Sequence, residues 1–322
     1  MNKEIVDAVI TWVDGYDEQH QQKLSRYIHD QKIERPETAA PTRYNQCGEI
    51  EYCVKSLFRY APWIRTLYIV TDAQIPSIIQ QFAGTTYENR IKLIDHRDIF
   101  SEYEHCLPTF NSVTIETMLW RIPDLAEKFI YFNDDVVLIR PVSYEDFFRG
   151  HQLVLRGKWK VTSSSRLHTY YKHLLKKLGF SKRPNLHRTV QENSAQLAGF
   201  TNSFFHLPHV PFPLKKSTFE SFFLKYPETL SNNISYRLRS PHQFMPISLA
   251  HHLEIQQKTA IIDNTLQSVG VDASRYVLKK IKHKLKSAEK NKCVAFVCMQ
   301  SVDTAPPITQ NFMLKWLDQW TR

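Results

Sequence analysis

An α/β fold, built on a layered, mostly parallel sheet flanked by helices, is predicted by two features of this sequence, and a third narrows how it could hold a nucleotide. Strand-like and helix-like segments alternate through the first 140 residues, the order that builds a parallel sheet. Carboxylates (Asp14, Asp72 and the pair Asp134-Asp135) fall at the C-terminal ends of apolar segments, where open α/β sheets place their sites. Glycine is scarce, with 8 in 322 residues against roughly 7% in typical proteins. Neither G-x-G-x-x-G nor G-x-x-x-x-G-K-[ST] occurs, so neither familiar glycine-lined phosphate cradle is available. A nucleotide's phosphates would need a metal, an arginine, a histidine or a plain helix N-terminus.

Each element has its own signal. Residues 5–13 (IVDAVITWV) are β-branched and apolar and stop at Asp14-Gly15, which reads as a buried first strand. Ile50, Cys53, Val54, Leu57 and Phe58 recur at helical spacing and predict a helix over 49–60. Strands follow at 64–70 and 90–95. Asn111 or Ser112 caps a helix with Ile115, Met118, Leu119 and Ile122 on its apolar face. Residues 129–132 and 136–139 are short apolar strands on either side of Asn133-Asp134-Asp135. Three prolines around His209 predict a stiff extended loop over 207–214. Ser217 and Glu220 form a capping box, and Ser240-Pro241-His242-Gln243 reads as a sharper helix start just after Arg239. Phe312, Met313, Trp316, Leu317 and Trp320 make one face of a terminal helix.

The totals describe a single large domain, 42% apolar and 23% charged. Its halves are 1–150 and 199–305, separated by a basic insertion at 151–198 and followed by an amphipathic helix at 306–322. Apolar runs are far shorter than the ~20 residues of a membrane span. No signal peptide is read at the N-terminus, and the five cysteines form no C-x-x-C. The expectation is free thiols in the cytoplasm. The net charge of +10 points to an anionic partner. Residues 151–190 carry ten Lys or Arg and no Asp or Glu. They form either a funnel for a polyanion or a solvated loop. The lysine block 279–292 next to the terminal helix either lies on an anionic membrane or is a solvated face.

Three constellations carry chemistry. Asp134-Asp135 after a buried strand is either a solvated turn or a Mg²⁺ site, since Mg²⁺ uses one or two carboxylates plus substrate phosphates. His209 in its stiff loop is either a general base or phosphate donor, or simply structural. Arg239 before a helix start is either a phosphate clamp or a surface charge.

Together these residues resemble the Stealth family of sugar-1-phosphate transferases. Its first block is similar to Val6–Gly15 (VDAVITWVDG). Its second is similar to 43–138, with YAPWIR at 60–65, IVTD at 69–72, HRDIF at 96–100, LPTFNS at 107–112 and FNDDV at 132–136. Its third is similar to 206–252, with HLPH at 206–209 and RSP at 239–241. The fourth block departs from the family's Asn-Asp pair: here AFVCM at 295–299 leads to QSVD at 300–303. Either Asp303 replaces the missing carboxylate or the metal is held without it.

The resemblance implies a glycosyltransferase-A-like nucleotide-sugar core. It also implies transfer of a sugar 1-phosphate, an N-acetylhexosamine 1-phosphate, from a UDP-sugar to a hydroxyl of a polysaccharide or oligosaccharide acceptor. UMP leaves, and a capsular phosphodiester polymer grows. Asp134 and Asp135, with Asp303, would hold Mg²⁺ or Mn²⁺. Asp135, His209 and Arg239 would be catalytic. Trp12, Asp14, Arg43, Asn111, Ser112, Asn133 and Arg239 would contact substrate, and Lys176 and Lys177 would contact the acceptor. The implied location is cytoplasmic, with peripheral contact to the membrane or to capsule assembly proteins and no nucleic acid. A metal-dependent glycosyltransferase releasing UDP is the alternative enzyme; a non-enzymatic polyanion-binding module is the alternative outside enzymes.

Overall fold

The structure, a computed structural model, describes residues 4–163 and 185–322. Lys176 and Lys177 lie outside the described residues. Strands β1 (Val6–Thr11), β2 (Leu67–Thr71), β3 (Ile91–Asp95) and β4 (Lys128–Asn133) run parallel. β5 (Val136–Leu138) leaves that sheet immediately after the Asp134-Asp135 turn. β6 (Phe148–Arg149), β7 (Gln152–Leu155), β8 (Lys158–Val161) and β9 (Ser203–His206) follow in smaller sheets. β10 (Phe212–Lys215) returns to the main sheet, antiparallel to β4. β11 (Ala260–Ile262) extends β7, and β12 (Gln267–Asp272) and β13 (Val294–Gln300) form a sheet with β5. The main order is β10-β4-β1-β2-β3. The mostly parallel α/β sheet is therefore as expected.

The parallel strands are apolar nearly throughout, because helices cover both faces. Ala8, Val9, Ile10, Ile69, Val70, Phe129 and Ile130 are all fully buried. Asp7 is the exception in β1, 0% exposed. Arg65 grips it with two bonds, Nε to Oδ1 at 2.9 Å and Nη2 to Oδ2 at 2.5 Å, and the amides of Thr66 and Ala126 donate to it as well. Asp7 thus ties β1 to the starts of β2 and β4. Arg65→Ala leaves that charge buried and uncompensated, and should destabilise the fold by roughly 3–5 kcal/mol. Urea unfolding tests this, and a loss under about 1 kcal/mol, as for an exposed pair, would refute it.

Several local expectations are corrected. The strand expected at 64–70 begins at Leu67. The basic insertion is not all loop: Leu153, Val154 and Leu155 are fully buried, and helix Leu186–Leu197 packs through Val190, Gln191, Ser194 and Ala195. The stiff loop ends early, with Phe212–Lys215 forming β10 at the sheet edge, the place where Pro213 is tolerated. Helix Lys216–Lys225 has no capping box, since Ser217 Oγ donates to Glu127.

The helix start at Ser240 does not form. Gln243 turns inward, accepting from Asn111 Nδ2 at 2.9 Å and donating to Asn233 O at 2.8 Å, and the helix opens later, at Pro246. The terminal helix Pro307–Thr321 packs Met313, Trp316 and Leu317 into a second core with β12 and β13, so its apolar face is spent inside the protein. The lysine block forms helix Leu278–Lys290, which buries Ile281, Leu285 and Ala288 and turns most of its lysines outward. Among the described residues no helix is long and apolar enough to cross a membrane.

Candidate active site

β4 carries the Asp pair to its C-terminal end, and Asp134 and Asp135 make the turn into β5. Asp135 O accepts from Met299 N at 2.9 Å, and its Oδ2 accepts the Cys298 thiol at 3.4 Å. Asp135 Oδ1 is buried with no hydrogen-bond partner. Burial, then the charge of Asp135, then that of Glu49 push the Asp134 carboxyl well above the ordinary range. Burial likewise raises Asp135, and the charge of His209 opposes that shift. Among the described residues neither aspartate has a Lys or Arg ion-pair partner.

This arrangement fits a divalent cation. Two adjacent carboxylates repel one another, one oxygen is orphaned, and Glu49 adds a third acid nearby. Among the described residues no group of three or more His, Cys, Asp or Glu is placed to hold a metal ion. Mg²⁺ uses one or two carboxylates and takes its other positions from water and substrate phosphates. Asp303, whose charge reaches Glu49 as that of Asp135 does, is held by other groups. Its oxygens accept from Thr42 Oγ1 at 2.9 Å and Asn45 Nδ2 at 3.3 Å, so its carboxylate anchors the segment that carries Arg43.

β10 explains why His209 is here. Phe212 pairs with Tyr131 in the antiparallel register, so the residues just before β10 lie at the C-terminal end of β4. The main-chain oxygen of His209 accepts from Ser268 Oγ at 2.8 Å, which fixes the loop. Its ring stacks on His187, 5.6 Å away with 20° between the planes.

Arg239 is held near this end of β4 by another route, its charge reaching His187. Asn111 is 0% exposed and spends its side chain internally. It caps helix Ser112–Met118 and donates to Tyr236 O at 3.0 Å and Gln243 Oε1 at 2.9 Å. The expected contact between Asn111 and sugar is thereby corrected: Asn111 holds the Arg239 segment against the helix. Arg239 Nη2 donates to Ser112 Oγ at 2.8 Å. Burial and the neighbouring charge of Arg43 lower the Arg239 guanidinium. Two like-charged guanidiniums within reach of one another are a pattern that an anion relieves.

Glu116 lies one helical turn beyond Ser112, with one oxygen accepting from Tyr131 OH at 3.3 Å and the other orphaned in the interior. Burial raises its carboxyl to about 7, against the opposing charge of Arg239. Raising a folded-state pKa makes folding less favourable as pH climbs from the unfolded value of 4.5 to about 7. Replacing Glu116 with Gln should therefore flatten the stability profile in that window and stabilise the protein at pH 8 by on the order of 2–3 kcal/mol. Thermal melts from pH 4 to 8 decide this; parallel profiles for the two proteins would refute it.

The remaining expected residues sit around this centre. Trp12 is packed in the core with its indole N–H unpartnered. Asp14 Oδ1 accepts from Tyr16 N at 2.9 Å in its own turn, and Asn133 ends β4. Gly15 is pressed against Tyr44, where an added Cβ would come within 2.7 Å of the backbone. Asp72 is taken by Lys23 at 2.8 Å.

Sequence reasoning missed Glu116, Glu49, His187 and His206. Glu116 had a signal, an acid four residues after Ser112 within an apolar helix. His187 had none, because its place depends on how helix Leu186–Leu197 packs.

Comparison with known proteins gives the following. Residues 43–155 match a family model described as Stealth protein CR2, conserved region 2. A capsular polysaccharide phosphotransferase of Streptococcus pneumoniae, WcwK, is 30% identical over 262 residues, 75% of this chain and 75% of that protein. Another, from Actinobacillus pleuropneumoniae, is 33% identical over 248 residues, covering 73% of this chain and 60% of the relative. An exopolysaccharide phosphotransferase of Streptomyces coelicolor is 32% identical over 272 residues, 84% of this chain but 27% of that longer protein. The chain thus spans about a quarter of one relative and three fifths of another. Among solved structures, the galactosyltransferase LgtC, in complex with donor and acceptor sugar analogs, aligns over 98% of this chain and 96% of its own, at 10% identity and a TM-score of 0.46.

Proposed function

The chain belongs to the Stealth family, and from that premise we propose that it transfers a sugar 1-phosphate from a UDP-sugar to a sugar hydroxyl. UMP is released, and the product is a phosphodiester link of a bacterial polysaccharide. The donor sugar is an N-acetylhexosamine. One observation carries the reading: Asp134-Asp135, mutually repelling and without a Lys or Arg partner among the described residues, feels the charge of His209, and His187 feels both His209 and Arg239, so these groups gather at one end of β4 on segments that resemble the family's blocks. A cytoplasmic location peripheral to the membrane agrees with the outward lysines of helix Leu278–Lys290, and cell fractionation tests it.

The residues divide the work. Asp134 and Asp135 would hold Mg²⁺ or Mn²⁺, which supplies charge neutralisation at the diphosphate. Arg239 and Arg43 grip phosphate oxygens, with Ser112 orienting the Arg239 guanidinium. Glu116 positions that group through the same helix. His209 accepts the proton of the acceptor hydroxyl, held in place by the fixed loop and the His187 stack. The hydroxyl oxygen bonds to the phosphorus next to the sugar. The bond from that phosphorus to the bridging oxygen breaks, and the oxygen leaves with UMP. The sugar's own C–O bond is untouched, so its anomeric configuration is kept. Such a transfer needs mainly positioning and charge stabilisation, which these side chains offer.

Incubation with UDP-N-acetylglucosamine, Mg²⁺ and capsule oligosaccharide should release UMP and yield a phosphodiester seen by ³¹P NMR, and EDTA should stop the reaction. Release of UDP in place of UMP would convert the assignment to an ordinary glycosyltransferase.

A further inference from the structure

Two lysines and an imidazole on β8 and β9 lead toward His187 and are left unused by the reaction above; burial, then the neighbouring charges, lower the His206 and His187 rings to about 4, so the positive charge of the row is that of the lysines. β8 and β9 pair antiparallel, with Lys158 opposite His206 and Lys160 opposite Phe204. Opposed residues point to one face and their neighbours to the other. Lys158, Lys160, Phe204 and His206 therefore share a face.

The reverse face is apolar: Trp159 contacts Phe205 at 5.8 Å and Phe200 at 5.4 Å. That packing fixes the register of the strand pair and so fixes which residues line the basic face. Phe204 is fully buried beneath it, with the His206 ring at 6.0 Å and the Arg188 guanidinium at 5.3 Å. His206 lies 6.3 Å from His187, which in turn stacks on His209. Gln191 links the ends, with Nε2 at 3.1 Å from His187 Nδ1 and Oε1 accepting from Leu207 N at 2.9 Å.

The charges on this face are not balanced from within. Glu192, the nearby acid, is engaged by Arg188 at 2.6 Å. Among the described residues neither Lys158 nor Lys160 has a carboxylate partner. Like charges held side by side on one strand repel one another, and an anion on the face relieves that repulsion. A neutral sugar would gain nothing from the arrangement.

We propose that Lys158, Lys160 and His206, continued by His187 toward His209, form an acceptor subsite for a phosphodiester-bearing saccharide. The inference rests on the phosphotransferase reading: repeated transfer puts a phosphodiester on the acceptor chain, behind the hydroxyl that reacts next. The subsite would favour extending a polymer over starting one.

The test compares the parent enzyme with the double variant Lys158→Glu, Lys160→Glu. Both lysines are exposed, so the variant should fold, which circular dichroism verifies. The acceptors are a capsule oligosaccharide with one internal phosphodiester, its dephosphorylated counterpart, and a uronic-acid oligosaccharide of equal length. In the variant, KM for the phosphodiester acceptor should rise about tenfold, the size of one lost charge-assisted contact. KM for the neutral acceptor and for the UDP-sugar, and kcat with every acceptor, should stay within about twofold. An equal rise for the neutral acceptor, or no rise at all, overturns the subsite. An equal rise for the uronic-acid acceptor overturns its assignment to phosphate.

Failure of the underlying reaction looks different, as absence of UMP release by the parent with every acceptor. Calorimetric binding of the phosphodiester oligosaccharide to parent and variant then still reads the subsite directly.

Discussion

Asp135→Asn should lower the rate of UMP release by at least about 10³-fold, the scale of losing a group that stabilises transferring phosphate, while leaving the metal-free protein as stable as the parent or more so. The two halves of this expectation have one cause. Asp135 is half-buried, one of its oxygens is buried and orphaned, and its charge raises the neighbouring Asp134. Removing that charge relieves the folded protein of a repulsion that only a bound cation would otherwise offset. The same change removes an anchor for the cation. Mg²⁺ should therefore raise the melting temperature of the parent but not of the variant, since only a state that binds ligand is stabilised by it. A variant that keeps a tenth of the activity, or still responds to Mg²⁺, removes Asp135 from the metal site.

Arg239→Lys should cost about 10²–10³-fold in kcat/KM, or roughly 3–4 kcal/mol, despite keeping a positive charge. Arg239 acts through its shape. Nη2 is committed to Ser112 Oγ, which leaves the other nitrogens of the planar fork for a phosphate near the charge of Arg43. A lysine supplies one point charge and cannot hold both Ser112 and a phosphate in that geometry. Arg239→Ala should be no more active, and because Glu116 then loses its opposing charge, its carboxyl should rise further above about 7. Steady-state kinetics with saturating and limiting UDP-sugar tests the pair. Lysine restoring more than about a third of kcat/KM would show that charge alone suffices.

The readability of this protein from its sequence varied with the range of the signal. Helix Glu49–Tyr60 is legible to its ends, because Ile50, Cys53, Val54, Leu57 and Phe58 write a 3.6-residue period that only a helix satisfies. β4 and the Asp pair are legible because a buried apolar run followed by two acids has few places to go. The Ser240 helix start was misread. Its cap signature is local and sound, but Gln243 is taken inward by Asn111 and Asn233, and buried bonds of that kind outweigh a cap. The edge strand β10 was read as loop because its prolines hide a pairing that is supplied wholly by β4. Glu116 sat within a correctly drawn helix, yet its importance depends on Arg239, more than a hundred residues away.

By itself, then, the sequence determined the alternation that makes a parallel sheet, the carboxylates at its C-terminal edge, and the scarcity of glycine that rules out a glycine-lined phosphate cradle. Periodicity and burial are properties of neighbouring residues, so they are written locally. Only the tertiary structure decided that the antiparallel return of β10 brings His209 toward Asp135, that Asn111 and Gln243 hold the Arg239 segment near Arg43, and that Asp303 is held by Thr42 and Asn45. Those outcomes depend on register and long-range hydrogen bonds, which fix distances between residues far apart in the chain.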